Sequence, residues 1–280
     1  TVSPNMRTRF IFIIFIFTTI KSFACSCDTP KPAIEFYEST YVFEGEVINK
    51  VYASDSLTNT ITFKISRHYK DGDYPKQLKF QLNSEAEVTG LYSSCYWTAK
   101  EGEKWLVYAK TIDGELNFQF YCSNSKPLGR LKINPKEQKV LDNGNKLDLT
   151  KYRYNQIGNP ITNIDSIEKL YKKYKFNPSN SAFIWVDVNE KGKLERANLL
   201  PRNERKFEIV DTIFGMNKFK NERQKPRNDF EKIAVEMANK IKNWEKFYYL
   251  DLKKPIRFRS SILIEVNKDS IIKIRKPGSY

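Results

Sequence analysis

Residues 23–27 read Phe23-Ala24-Cys25-Ser26-Cys27, and the organisation of the whole chain turns on them. They close a short apolar run and place two of the chain's four cysteines one residue apart, the others being Cys95 and Cys122. Upstream, Met6 reads as a start, Arg7 and Arg9 as a positive n-region, residues 10–20 as an apolar h-region, and Ser22-Phe23-Ala24 as a small-x-small cleavage pattern. The run falls well short of the roughly 20 residues a helix needs to cross a hydrocarbon core. Residues 1–24 are therefore expected to be a signal peptide with a few upstream residues, removed to leave Cys25 first with a free α-amino group. No transmembrane span is expected. Export to the periplasm or the medium follows, and it makes disulfides chemically reasonable. A lipobox also ends in Ala-Cys, yet it favours Leu where Ser22 stands, and a lipid thioether on Cys25 would leave one of the other three cysteines unpaired. An outer-membrane lipoprotein anchored at Cys25 is the alternative to plain cleavage.

At 280 residues the chain has room for two compact domains. Its 40% hydrophobic and 14% aromatic content is that of globular protein and argues against disorder. The formal charge of +15 is spread unevenly. Residues 25–150 carry 16 basic and 17 acidic side chains, whereas residues 151–280 carry 29 and 16, a net of +13. The second part faces either something anionic (an acidic protein, a membrane or wall surface, nucleic acid) or simply solvent. His68 is the only histidine, which excludes multi-histidine metal sites and leaves little for a Ser/His/Asp arrangement. It lies in a strand pattern and reads as an ordinary strand side chain. No Gly-rich phosphate loop, GxSxG or HExxH occurs, so neither an enzyme nor a cofactor is expected. The acidic pairs Glu44/Glu46, Glu85/Glu87 and Glu101/Glu103 read as a solvated strand face or loop.

After Pro30 and Pro32 the pattern predicts a short helix over residues 31–40. Alternation then predicts strands over 41–52, 60–69, 77–82 and 104–110, with 115–122 closing a hairpin across Asp113-Gly114. Residues 135–141 look helical. Several short strands with turn signals between them argue for a small β-barrel or sandwich. Four cysteines allow three pairings, and spacing does not choose among them. Cys25 and Cys27 are poorly placed to bond each other, because strand neighbours point to opposite faces. A bridge closing a loop of about 70 residues contributes on the order of 4 kcal/mol by the chain-entropy model.

Together, Cys25-Ser26-Cys27 behind a cleaved leader, Val42-Phe43-Glu44-Gly45-Glu46-Val47, Cys95-Tyr96, Gly102 with Trp105-Leu106-Val107-Tyr108-Ala109, and Cys122 resemble the netrin-like domain of tissue inhibitors of metalloproteinases. The resemblance covers residues 25–145 and implies an OB-fold β-barrel with bridges Cys25–Cys95 and Cys27–Cys122. It also implies a mode of inhibition. The α-amino nitrogen and carbonyl oxygen of Cys25 would chelate the zinc of a metalloprotease, and Ser26 would enter the specificity pocket. Residues Ser94 to Tyr96 would lie beside them through the disulfide. An open zinc site accepts a neutral amine, and an α-amino group with a pKa of about 8 gives up its proton readily to a metal. Netrin-like modules also serve as purely structural or binding modules. An OB-fold invites a nucleic-acid reading as well, but this half of the chain is near neutral and export removes nucleic acid, so none is expected.

Residues 144–180 read as a polar, proline-punctuated connector with one helix over 164–174, where Ile167, Leu170, Tyr171 and Tyr174 recur at helical spacing. Strands are predicted over 182–188 and 194–200 around a turn at Gly192, and a charged loop over 211–227. A helix over 230–244 follows, capped by Asp229, with Ile233, Met237, Ile241 and Trp244 as its apolar stripe. A long final strand spans 256–266. This order resembles the C-terminal domain of TonB-type proteins, carried by Val186, Val188, Gly192 and Lys193, the helix ending in Trp244, and the strand after Pro255. The resemblance implies an α+β docking domain with a small antiparallel sheet and one long helix. In that family it binds outer-membrane transporters by strand addition. The expected organisation is a leader over 1–24, a netrin-like barrel over 25–145, a connector over 146–177 and a TonB-like domain over 178–280. Two functions follow: an exported, non-enzymatic interaction protein of the cell envelope, or an inhibitor of an extracellular metalloprotease acting through Cys25.

Overall fold

Strand β1 (Tyr41–Tyr52), 12 residues long, is the element on which the first unit is assembled. The computed structural model describes residues 27–90, 97–202, 206–219 and 224–275, and the chain divides into two units between Asn145 and Lys146. β1 pairs antiparallel with β2 (Thr58–His68) on one side and β4 (Lys104–Ile112) on the other. Its register with β2 slips at Glu44/Gly45 and again at Val47/Asn49. A Cβ at Gly45 would sit 3.0 Å from the Lys64 carbonyl oxygen, so a side chain here would require the neighbouring strand to give by a few tenths of an ångström, and glycine suits the bulge. β3 (Gln77–Asn83) extends the sheet beyond β2 and β5 (Glu115–Asn117) beyond β4, giving the order β3-β2-β1-β4-β5, with β6 (Lys126–Pro127) also on β4. The two ends approach each other across an aromatic core in which Phe80 and Phe118 meet edge to face at 4.9 Å. Phe43, Phe63, Trp105 and Val107 belong to the same core. Among the described residues no ladder joins β3 to β5, so the expected closed barrel is a strongly curved antiparallel sheet whose ends meet through side chains.

Local chemistry sets the boundaries. Asp113 and Gly114 both take positive φ, 52° and 85°, as a two-residue turn between β4 and β5 requires. The strand expected to run to Cys122 stops at Asn117, and residues 123 and 124 beyond it are recruited by a buried carboxylate described below. Helix α1 (Pro32–Glu38) starts with Pro at its first position and is closed at its other end by Lys70, whose ammonium donates to the carbonyls of Phe36, Tyr37 and Ser39. After the single turn α2 (Ala86–Thr89), helix α3 (Pro135–Asn143) is capped by Asn134.

The second unit is a two-layer arrangement. Its sheet runs β13-β12-β8-β9, from β8 (Ser181–Val188), β9 (Leu194–Leu199), β12 (Phe258–Val266) and β13 (Ile272–Arg275), with β7 (Tyr154–Asn155) parallel to the start of β12. One face packs on α5 (Asp229–Lys240), where Ile184, Val186, Ile262 and Ile264 meet Ile233, Ala234, Met237 and Ala238. Residues 146–177 are more than a connector. Ile167 and Tyr171 of α4 (Ile164–Tyr171) belong to the same core, and β7 belongs to the sheet. The cap of α5 is Asn228, whose side chain accepts from the Glu231 amide, so Asp229 falls in the first turn, where its charge favours the helix dipole. The helix ends at Lys240, short of Trp244, because residues 242–244 leave to pair with residues 192–194. The expected charged loop is partly a hairpin, β10 (Phe207–Asp211) with β11 (Met216–Phe219), and β13 follows the strand expected to be last. The described residues are mixed α and β, mostly strands, in sheets that are antiparallel except at β7.

Candidate functional site

Glu35 organises the disulfide-bearing end of the first unit. Placed by α1 and only 2% exposed, it accepts from Ser123 Oγ at 2.6 Å, the Asn124 amide at 2.7 Å and Asn124 Nδ2 at 2.6 Å. Asn124 Nδ2 also donates to the Pro30 carbonyl at 2.9 Å. Cys27 and Cys122, 95 residues apart, are joined by a disulfide, the pairing of second with fourth cysteine that the netrin-like resemblance implies. Covalent bond and carboxylate clamp together hold the segment starting at Cys27 against residues 122–125. Cys25, Ser26, Ser94, Cys95 and Tyr96 lie outside the described residues.

A cleft of about 400 Å³ lies between the residues that follow Tyr96 and the one that precedes Cys122, with Trp97, Trp105 and Phe120 as its aromatic wall and Glu87, Lys100 and Arg130 on its rim. Trp97 packs on Trp105 at 5.7 Å and on Phe120 at 6.3 Å between ring centroids. Glu85, which also lines the cleft, forms a nearly buried ion pair with Lys50. Thr98 Oγ1 accepts from Lys50 Nζ and donates to Glu85 Oε1, both at 2.8 Å. Burial holds the Lys50 ammonium below its ordinary pKa, against the pull of Glu101 and Glu103. Glu103 accepts from the Lys100 amide, from Trp105 Nε1 at 3.2 Å and from Arg130 Nη2 at 2.7 Å. Glu85 and Glu103 are thus structural groups rather than the solvated acids expected. Glu44 likewise accepts from the Tyr69 hydroxyl, whose pKa burial and that carboxylate push up to about 12. His68 Nε2 lies 2.9 Å from the Pro75 carbonyl, and its ring rests on Phe43 and Tyr74. The cleft offers an aromatic wall beside charged groups, of which Glu85 and Arg130 are engaged in ion pairs. Among the described residues, no group of three or more His, Cys, Asp or Glu is placed to hold a metal ion.

In the second unit, Asp187 on β8 is 2% exposed and gathers three guanidinium groups on the sheet face turned away from α5. Arg259 Nε and Nη2 reach it at 2.7 and 3.0 Å, Arg196 Nε at 2.9 Å and Arg153 Nη1 at 2.9 Å. Arg153 pairs also with Glu195, and the Arg259 guanidinium lies over the Trp185 ring at 4.7 Å. The two parts of the TonB-like pattern touch: the Trp244 amide donates to the Gly192 carbonyl at 2.8 Å, and Lys193 Nζ to Asn243 Oδ1 at 2.6 Å. The sheet's edges differ. On β13 the Ile274 amide donates to Glu168 Oε1 at 2.8 Å, so α4 covers that edge, and β7 and β13 fill the far side of β12. On the edge of β9 away from β8, among the described residues, Leu194 alone has a backbone partner, the Lys242 carbonyl. Since the Leu200 amide bonds to Phe183, alternation turns the amides of Ala197 and Leu199 outward.

Glu35, Glu168 and Asp187 escaped the reading of the sequence. Their one signal is an acid inside an apolar run, as in Ile34-Glu35-Phe36 and Val186-Asp187-Val188. Among the described residues, no helix is long and apolar enough to cross a membrane. Compared with known proteins, the sequence matches no family model and no curated protein.

Proposed function

We propose that this chain is an exported, non-enzymatic interaction protein of the cell envelope. Its first unit acts as a netrin-like OB-fold module and its second as a TonB-like docking domain. The observation that carries the reading is the outer edge of β9, where the amides of Ala197 and Leu199 have no backbone partner among the described residues, with β13 capped by Glu168 and β12 occupied on both sides. Strand addition uses such an edge, with main-chain hydrogen bonds for affinity and alternate side chains for specificity. The strand order β3-β2-β1-β4-β5, with Phe80 and Phe118 bridging its ends, supports the OB-fold reading of the first unit. The test is capture of envelope proteins by the full chain, compared with Ala197→Pro, which deletes one outward amide from an edge strand that tolerates proline. Capture of a defined protein by the parent and not by the variant is expected. Equal capture by both, or no envelope protein recovered at moderate salt, would overturn the reading.

The Cys27–Cys122 disulfide favours a second reading, inhibition of a metalloprotease through the α-amino and carbonyl groups of Cys25, because it fixes the chain two residues away. An alanine inserted ahead of Cys25 tests it. Chelation requires that the extended protein lose inhibition, and inhibition that survives would exclude it.

A further inference from the structure

We propose that the hairpin β10–β11 is a finger that lays its apolar side into the surface of an anionic lipid bilayer. Ile209, Val210 and Ile213 are 66%, 45% and 41% exposed, three large aliphatic side chains within five residues, whereas Phe214 and Met216 of the same hairpin are buried. The backbone is built to produce this exposure. Ile209 pairs with Asn217 and Asp211 with Met216, which leaves Val210 as the extra residue of a bulge. A bulge re-aims a side chain, and here it leaves Ile209 and Val210 exposed together where strict alternation would turn one of them under. The tip is held in shape by Asp211, whose Oδ1 accepts from the amides of Ile213 at 2.8 Å and Phe214 at 2.9 Å. Its Oδ2 accepts from the Tyr152 hydroxyl at 2.9 Å, which ties the tip to the body of the unit.

A two-stranded ribbon is marginal alone, so anchoring one face while baring aliphatic groups on the other marks an interaction surface. Charge selects the partner. The hairpin belongs to the part of the chain with 29 basic against 16 acidic residues, and exposed Lys206 and Lys225 lie close to it in sequence, whereas Arg227 is paired with Glu231. Basic flanks around an apolar projection match a bilayer whose headgroups are negative and whose acyl boundary lies just beneath them. The tip carries none of the Trp, Tyr or Arg anchors that dominate protein hot spots. This proposal does not depend on the protein-docking reading, because β9 and the hairpin are separate elements.

The test is co-sedimentation of the full chain, at physiological salt, with phosphatidylglycerol vesicles and with phosphatidylcholine vesicles. Binding to the former and little to the latter is expected. The charge-neutral double variant Ile209→Ser/Ile213→Ser should bind about tenfold more weakly or worse, since only apolar contact is removed. Unchanged binding by that variant would show that bulk positive charge alone is responsible and would overturn the proposal. In Ile213→Trp, insertion requires a blue shift of the new tryptophan's emission on adding anionic vesicles, and no shift contradicts it. Full displacement from vesicles by soluble glycerol phosphate, or equal hairpin-dependent binding to a soluble acidic protein, would also overturn it.

Discussion

Removing the charge of Asp187 is the perturbation with the clearest consequence. Asp187→Asn keeps the shape and takes away the carboxylate shared by Arg259, Arg196 and Arg153. The side chains of Arg196 and Arg153 are 31% and 23% exposed and can turn towards water, whereas that of Arg259 is 9% exposed and cannot. Breaking a buried pair costs about 3–5 kcal/mol, and the two partly exposed partners place the expected loss near the lower end, about 3 kcal/mol. With a urea slope of about 2 kcal/mol/M, the midpoint of the second unit falls by about 1.5 M. Hydrogen exchange of peptides from β8 and β12, followed across a urea series, reads this unit without interference from the first. Arg259→Ala should cost more than Arg196→Ala. The pH dependence has a fixed sign. Burial alone would raise the Asp187 carboxyl, but Arg259 above all, with Arg153 and Arg196, holds it below the ordinary value. Its contribution is therefore present above the unfolded pKa of about 4 and is lost as pH falls through the lowered folded value. Asp187→Asn should flatten that acid limb. A midpoint shift too small to resolve, or an Arg259→Ala variant as stable as the parent, would refute the reasoning.

Three further outcomes follow from particular contacts. Replacing both Cys27 and Cys122 with Ser opens a loop spanning 95 residues, and thermal unfolding should register a loss of about 4–5 kcal/mol in the first unit alone. Gly192→Ala should cost about 2 kcal/mol or more in denaturant titration, because φ is +73° and the new Cβ would lie 2.4 Å from the Trp244 carbonyl oxygen. Gly72→Ala, with nothing within 4 Å, should be close to neutral. The raised pKa of Tyr69 means a contribution fully present below its unfolded pKa of about 10 and lost as pH climbs through the folded value of about 12. Tyr69→Phe should remove that alkaline sensitivity from denaturation curves.

The parts of the fold legible in the sequence are those where local pattern and burial agree. Phe43 and Val47 alternate into the core of β1, Gly45 marks its bend, and Ile233 and Met237 are buried on α5 as their spacing predicts, whereas Ile241 and Trp244 are buried beyond the end of that helix. What stayed hidden depends on partners distant in the chain. Asp187 meets Arg259 72 residues away, and Glu35 meets Asn124 89 residues away. No local rule announces a buried acid whose cations arrive from other strands. The strand predicted up to Cys122 ends early, and Ser123 and Asn124 beyond it are recruited by Glu35. The β10–β11 hairpin was masked by its charged surroundings, and β13 by its four-residue length. Of the candidate site, the chain order of the cysteines was plain, whereas the aromatic wall is assembled from Trp97, Trp105 and Phe120 in separate segments.

Intact-mass analysis of the protein as its own cells produce it, followed by disulfide mapping of its peptides, bears most directly on the central claim. A chain beginning at Cys25 and lacking four hydrogens through its four cysteines is expected. Its peptides should link Cys27 to Cys122 and Cys25 to Cys95. Retention of residues 1–24, an acyl-modified Cys25 or free thiols at these positions would contradict it.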